Sequence, residues 1–154
     1  MKKHLLHTFC FLFLVSIGFA QSNQKPVAKT AVPQLKKLLT GTALPFKMVN
    51  DSMAVIPYEG ENIASYQVVV QIVSDLYIIY TNLSEDLPNK LNETQYKYLL
   101  QRNNDYDIVK VGLAADGSFY LRADIFKITA TTPVIKRIIN QVANVANIMA
   151  GELK

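Results

Sequence analysis

The chain has no tryptophan, one cysteine and two histidines among its 154 residues. Cys10, His4 and His7 all fall within the first twenty, MKKHLLHTFCFLFLVSIGFA. That stretch has the layout of a removable export signal. Lys2 and Lys3 give a charged start, Leu5 to Phe19 form an apolar run broken mainly by His7 and Thr8, and Gly18-Phe19-Ala20 supplies small residues for cleavage. Cleavage is expected after Ala20, which leaves a protein with no Cys, His or Trp. Thiol and imidazole chemistry, disulfides, and metal sites built on His or Cys then drop out together. The apolar core Phe9 to Phe19 is short against the roughly 20 residues that cross a bilayer. Gln21, where a lipoprotein would need Cys, stands after the cleavage site. No stable membrane anchor is expected after cleavage, and the expected location is the periplasm or the extracellular space.

A strong charge of one sign is also missing. Losing Lys2 and Lys3 takes Lys+Arg from 16 to 14 against 12 Asp+Glu, so the formal net charge falls from +4 to +2. The lysines are scattered, and no basic block is interleaved with aromatics to follow a phosphate backbone, which argues against a nucleic-acid partner. Without disulfides, the roughly 134 remaining residues must be held by a hydrophobic core, and a single domain of that size suffices.

Catalytic patterns are absent as well. Ser52 and Ser118 have no histidine to activate them, and no Gly-x-Ser-x-Gly occurs. The carboxylate pairs Glu59/Glu61, Glu85/Asp86 and Asp105/Asp107 stand beside turns or element ends, where solvated acids are ordinary. Asp105/Asp107 with Asn103/Asn104 lacks the spacing of a calcium loop, and the two asparagines suit a helix end. The expectation is a non-enzyme with no cofactor and no metal.

What the sequence does contain is a sequence of well-punctuated elements. Gln21–Val32 is polar and aperiodic and reads as a flexible leader, with the domain spanning 33–154. Leu35, Leu38 and Leu39 mark a short helix from Pro33, with Gly41 suited to its end. Alternation around Asn50-Asp51 predicts a first hairpin, Ser65–Val73 and Leu76–Leu83 a long second one across Ser74-Asp75, and Ile108–Leu113 and Phe119–Phe126 a third across Ala115-Asp116-Gly117-Ser118. Asn92 with Gln95 predicts a capping box for a helix carrying Tyr96, Leu99 and Leu100. Thr132-Pro133 opens a final helix to about Ala150, striped by Ile135, Ile138, Val142, Val145 and Met149, with Gly151 beyond it. The order α-β-β-β-β-α-β-β-α, with short turns between successive strands, predicts an α+β domain: an antiparallel sheet with its helices on one face.

In the third hairpin Val109, Val111 and Leu113 with Phe119, Leu121, Ala123 and Ile125 form the expected core set. Lys110, Tyr120, Arg122, Asp124 and Phe126 then point away. Val69 and Val73 join them, so the candidate partner-binding face is Val69, Val73, Tyr120, Arg122 and Phe126, more apolar than a monomer surface requires.

The stretch from Tyr98 to Phe126, whose residues after the tyrosine read LLQRNNDYDIVKVGLAADGSFYLRADIF, resembles the helix-hairpin signature of the YbjN-like family, whose fold is similar to that of type III secretion chaperones. LPFKMVNDSMAVIPYEG upstream and VIKRIINQVANVANIM at the close follow that family's order of elements, so the resemblance runs from about Pro33 to Lys154. It implies a non-enzymatic domain that dimerises or docks a peptide through its sheet and helices. On this basis the expected function is an exported, chaperone-like binding module acting by protein–protein contact, either as a homodimer or with a partner not identified by the sequence. The alternative is an envelope sensory or regulatory domain that binds a small ligand.

Overall fold

The computed structural model describes residues 28–83 and 91–153. The expected export signal, the first part of the expected leader and the Glu85/Asp86 pair lie outside the described residues. In chain order the elements are α1 (Ala28–Thr42), β1 (Lys47–Asn50), β2 (Met53–Tyr58), β3 (Tyr66–Val73), β4 (Leu76–Asn82), α2 (Glu93–Arg102), β5 (Lys110–Leu113), β6 (Phe119–Phe126), a single 3-10 turn (Lys127–Thr129) and α3 (Thr132–Glu152). The six strands form one antiparallel sheet in the order β1-β2-β3-β4-β6-β5. This is the expected α+β architecture in the expected element order.

Turn chemistry fixes the hairpins. The Asn50 carboxamide oxygen accepts from the Ser52 amide at 2.9 Å, closing the β1–β2 reversal. The Gly117 amide donates to the Ala114 carbonyl at 2.9 Å, and Gly117 takes a φ of +83°, the left-handed residue of a three-residue hairpin loop. The β3–β4 turn puts Ser74 at a φ of +53°, a conformation ordinarily given to Gly or Asn.

Alternation places Ala54, Ile56, Val68, Val70, Tyr77, Ile79, Leu121 and Ala123 on one buried face of the sheet. α3 lies across that face against β3, β4 and β6, and α1 packs on α3. The double contact explains why α3 buries more than the expected stripe: Ile139, Ala143, Ala146 and Ala150 are buried beside Ile135, Ile138, Val142, Val145 and Met149. Hydrogen bonds pin the helix in register. The Tyr66 hydroxyl donates to the Ala143 carbonyl at 2.9 Å, and the Tyr58 hydroxyl donates to Asn140 Oδ1 at 2.7 Å.

Several expected boundaries are corrected. α1 begins at Ala28, inside the stretch assigned to a flexible leader; Pro33 lacks the N–H that would bond the Lys29 carbonyl, and so reads as a start. Neither Gly41 nor Gly151 ends its helix. A Cβ on Gly41 would sit 3.0 Å from the Thr132 side chain, and one on Gly151 would sit 2.7 Å from the Asn62 carboxamide. Both glycines therefore serve close packing, and Ala43, at a φ of +57°, takes the left-handed position after α1. Thr131, rather than Thr132, is the N-cap of α3.

Candidate functional site: the uncovered sheet face and the β5 edge

The strand registers set the outer face row by row. One row reads Val55, Val69, Tyr80, Arg122, Lys110; a second reads Met53, Gln71, Ile78, Asp124; a third reads Val73, Leu76, Phe126. Tyr120 stands opposite Gly112 at the far end, and its ring occupies the space that a Gly112 Cβ would need. All five sequence-predicted residues, Val69, Val73, Tyr120, Arg122 and Phe126, thus share one face, the one opposite α3. Phe126 is 57% exposed and Val73 41%. Val55, Leu76, Ile78 and Tyr80 belong to the same face and were missed. Counting by twos from the Ser74-Asp75 turn would have found the three on β4.

The charged centre of the face is neutral. Arg122 Nε donates to Asp124 Oδ1 at 2.7 Å and Arg122 Nη2 to Asp124 Oδ2 at 2.8 Å, a two-pronged pair within β6. Asp124 also raises the guanidinium's pKa above its already high range. Around this pair the face is Val, Leu, Ile, Met, Gln, Tyr and Phe, with Lys47 and Lys110 on the two edge strands.

The β5 edge differs from expectation. Leu113 pairs with Phe119 as predicted yet is 53% exposed, and on α2 only Leu99 is buried while Leu100 is 67% exposed. The reason is position: α2 lies over the last, short strand rather than over the centre of the sheet. The capping box forms as read, with the Asn92 side chain accepting from the Gln95 amide and Gln95 Oε1 accepting from the Asn92 amide, each at 2.9 Å. At the other end Asn103 does more than end the helix. Its Oδ1 accepts from the Val111 amide at 2.6 Å and its Nδ2 donates to the Val111 carbonyl at 3.3 Å, so the carboxamide pairs with β5 as a neighbouring strand would. Lys110 Nζ donates to the Asn103 and Tyr106 carbonyls at 2.9 and 2.6 Å and holds the corner shut.

Asp105 is held by Arg102 at 2.9 Å, and the other arm of that guanidinium reaches Glu152 of α3 at 2.6 Å. The same guanidinium lies over the Tyr98 and Tyr106 rings. Arg102 thus ties α2 to Glu152 of α3, and Asp105 is its second carboxylate partner. Among the described residues no three His, Cys, Asp or Glu side chains gather as a metal site, and no helix is long and apolar enough to cross a membrane.

No family model and no curated protein matches the chain. Solved structures do. It superposes on a chain of the heterodimeric ExoU-SpcU complex from the type III secretion system of Pseudomonas aeruginosa with a TM-score of 0.56 at 16% identity, covering 77% of this chain and 96% of that one. The fold is type III secretion chaperone-like. The ExsC-ExsE complex gives a TM-score of 0.59 at 14% identity over 79% of this chain and 95% of that one. A chaperone–effector complex of SchA gives 0.55 at 12% identity over 80% and 92%.

Proposed function

We propose that the protein is an exported, non-enzymatic binding module, YbjN-like in sequence pattern, that docks another protein on its outer sheet face. The observation that carries this reading is the apolar field of Val55, Val69, Val73, Leu76, Ile78, Tyr80, Tyr120 and Phe126, on the sheet face opposite α3, which no helix among the described residues covers. Contiguous apolar patches of this kind mark interaction sites. The chaperone-like fold, found in structures described as complexes, supports it. Export followed by cleavage after Ala20 places the module in the periplasm or outside the cell.

A homodimer is the simplest occupant. Six strands about 4.8 Å apart and strands about 20 Å long present a face of roughly 600 Å². Two such faces together reach the 1,000 Å² or more that a specific interface needs. Light scattering on the cleaved protein tests the reading. A wild-type dimer, or a complex with an envelope protein, that Tyr120→Glu and Phe126→Glu abolish supports it. A strict monomer whose two variants capture the same exported proteins as wild type overturns it.

A further inference from the structure

A second apolar feature lies apart from the sheet face. Between α2 and the β5–β6 hairpin is an open cavity of about 240 Å³. Leu99 and Phe119 form its buried floor; Tyr96, Leu100, Val111 and Leu113 form its sides. The Tyr96 hydroxyl is the one polar side-chain group in this lining.

Two occupants are conceivable on chemistry: a strand from another protein, or a molecule without backbone amides. The edge chooses between them. A strand added to β5 would pair with the outward N–H and C=O of Val111 and Leu113, and both groups of Val111 are already taken by Asn103, which leaves Leu113 alone, too little for a strand. Lys110 pins the same corner through two carbonyls. The cavity is thus available to side-chain-like apolar matter and closed to strand addition. Its size sets the scale: an apolar cavity of about 150 Å³ takes up one benzene, so by volume this one takes about ten carbons. Its shape sets the polarity. The floor is apolar and buried, while the exposed Leu100 and Leu113 leave the mouth open to water.

We infer that the α2–β5 cavity is a binding site for a small amphiphile, a medium-length hydrocarbon chain that seats its tail on Leu99 and Phe119 and leaves its polar head at the mouth beside Tyr96. The site is separate from the docking face and does not depend on it. A ligand here bridges α2 and β5, so its binding tightens α2 onto the domain.

The test is a methyl NMR titration of the cleaved protein with decanoate below its micelle concentration, with butyrate as the short-chain control. Saturable binding is expected, with shifts centred on the methyls of Leu99, Leu100, Val111 and Leu113 and butyrate far weaker. Leu100→Asp and Leu113→Asp, both at exposed positions, should each weaken decanoate at least tenfold. The milder Leu100→Ser should weaken it less while keeping the wild-type spectrum elsewhere. Phe126→Asp on the sheet face should bind decanoate as wild type does, which separates this site from the protein-docking surface. Shifts centred on the methyls of Val73, Leu76 and Ile128, unsaturable binding, or Asp variants that bind like wild type would overturn the assignment.

Discussion

Replacing Asn103 by alanine removes two hydrogen bonds that no backbone element supplies. The carboxamide holds both polar groups of Val111, at 2.6 and 3.3 Å. A hydrogen bond of this kind contributes about 0.5–1.5 kcal/mol net, so the pair is worth roughly 1–3 kcal/mol. Val111 is only partly buried, and water replaces part of what is lost. The expected destabilisation is therefore about 1–2 kcal/mol. Urea denaturation reads it as a lower midpoint at unchanged slope. Asn104→Ala is the control, because that exposed neighbour has no such bond to β5, and it should change stability by less than about 0.5 kcal/mol. A second readout follows from geometry. With Val111 released, β5 becomes an open edge, and Asn103→Ala should form larger assemblies with rising concentration than the wild type does. If Asn103→Ala matches Asn104→Ala in midpoint, the carboxamide is not closing the edge and the argument for an amide-free ligand in the α2–β5 cavity falls with it.

Two further outcomes follow. Ala43 holds a left-handed conformation at a φ of +57°, which costs a non-glycine residue roughly 1–2 kcal/mol, so Ala43→Gly should raise stability by up to about 1 kcal/mol and the melting temperature with it; an unchanged or lower melt refutes the strain. Tyr58 is pushed up to about 12 by burial, with neighbouring Tyr66 adding to it. The unfolded phenol ionises near 10, so this stability is intact below pH 10 and is lost as pH climbs from 10 towards 12. For a half-buried hydroxyl partly screened by water the loss is about 1–2 kcal/mol, and Tyr58→Phe should flatten the alkaline stability profile by that amount; parallel profiles for the two proteins would refute it.

The parts of the fold that were legible in the sequence are those whose signals are local. Asn50-Asp51, Asp116-Gly117 and the Asn92/Gln95 box act within a few residues and formed where they were read. The parts that were misread have causes far along the chain. Gly41 answers to Thr132 and Gly151 to Asn62, so neither could report a helix end from its own neighbourhood. Leu100 and Leu113 sit on correct periods, but periodicity cannot say that α2 would lie over an edge strand and leave both in water. The docking face was half legible for a different reason. The Ser74-Asp75 turn fixes the β3–β4 register and with it Leu76, Ile78 and Tyr80, whereas the pairing of β4 with β6, which sets them beside Arg122 and Phe126, joins strands far apart in the chain.

The Arg122–Asp124 fork has a kinetic consequence. The pair cancels its own charge, so the centre of the sheet face does not steer a partner, and only Lys47 and Lys110 on the two edge strands of the same row remain to draw an acidic one. Added salt screens those two lysines and leaves the centre unaffected. Differences in affinity between partners then fall on residence time, set by how well each fills the ground between Val55 and Phe126. Such a centre does little to choose who arrives and selects by how slowly it lets go.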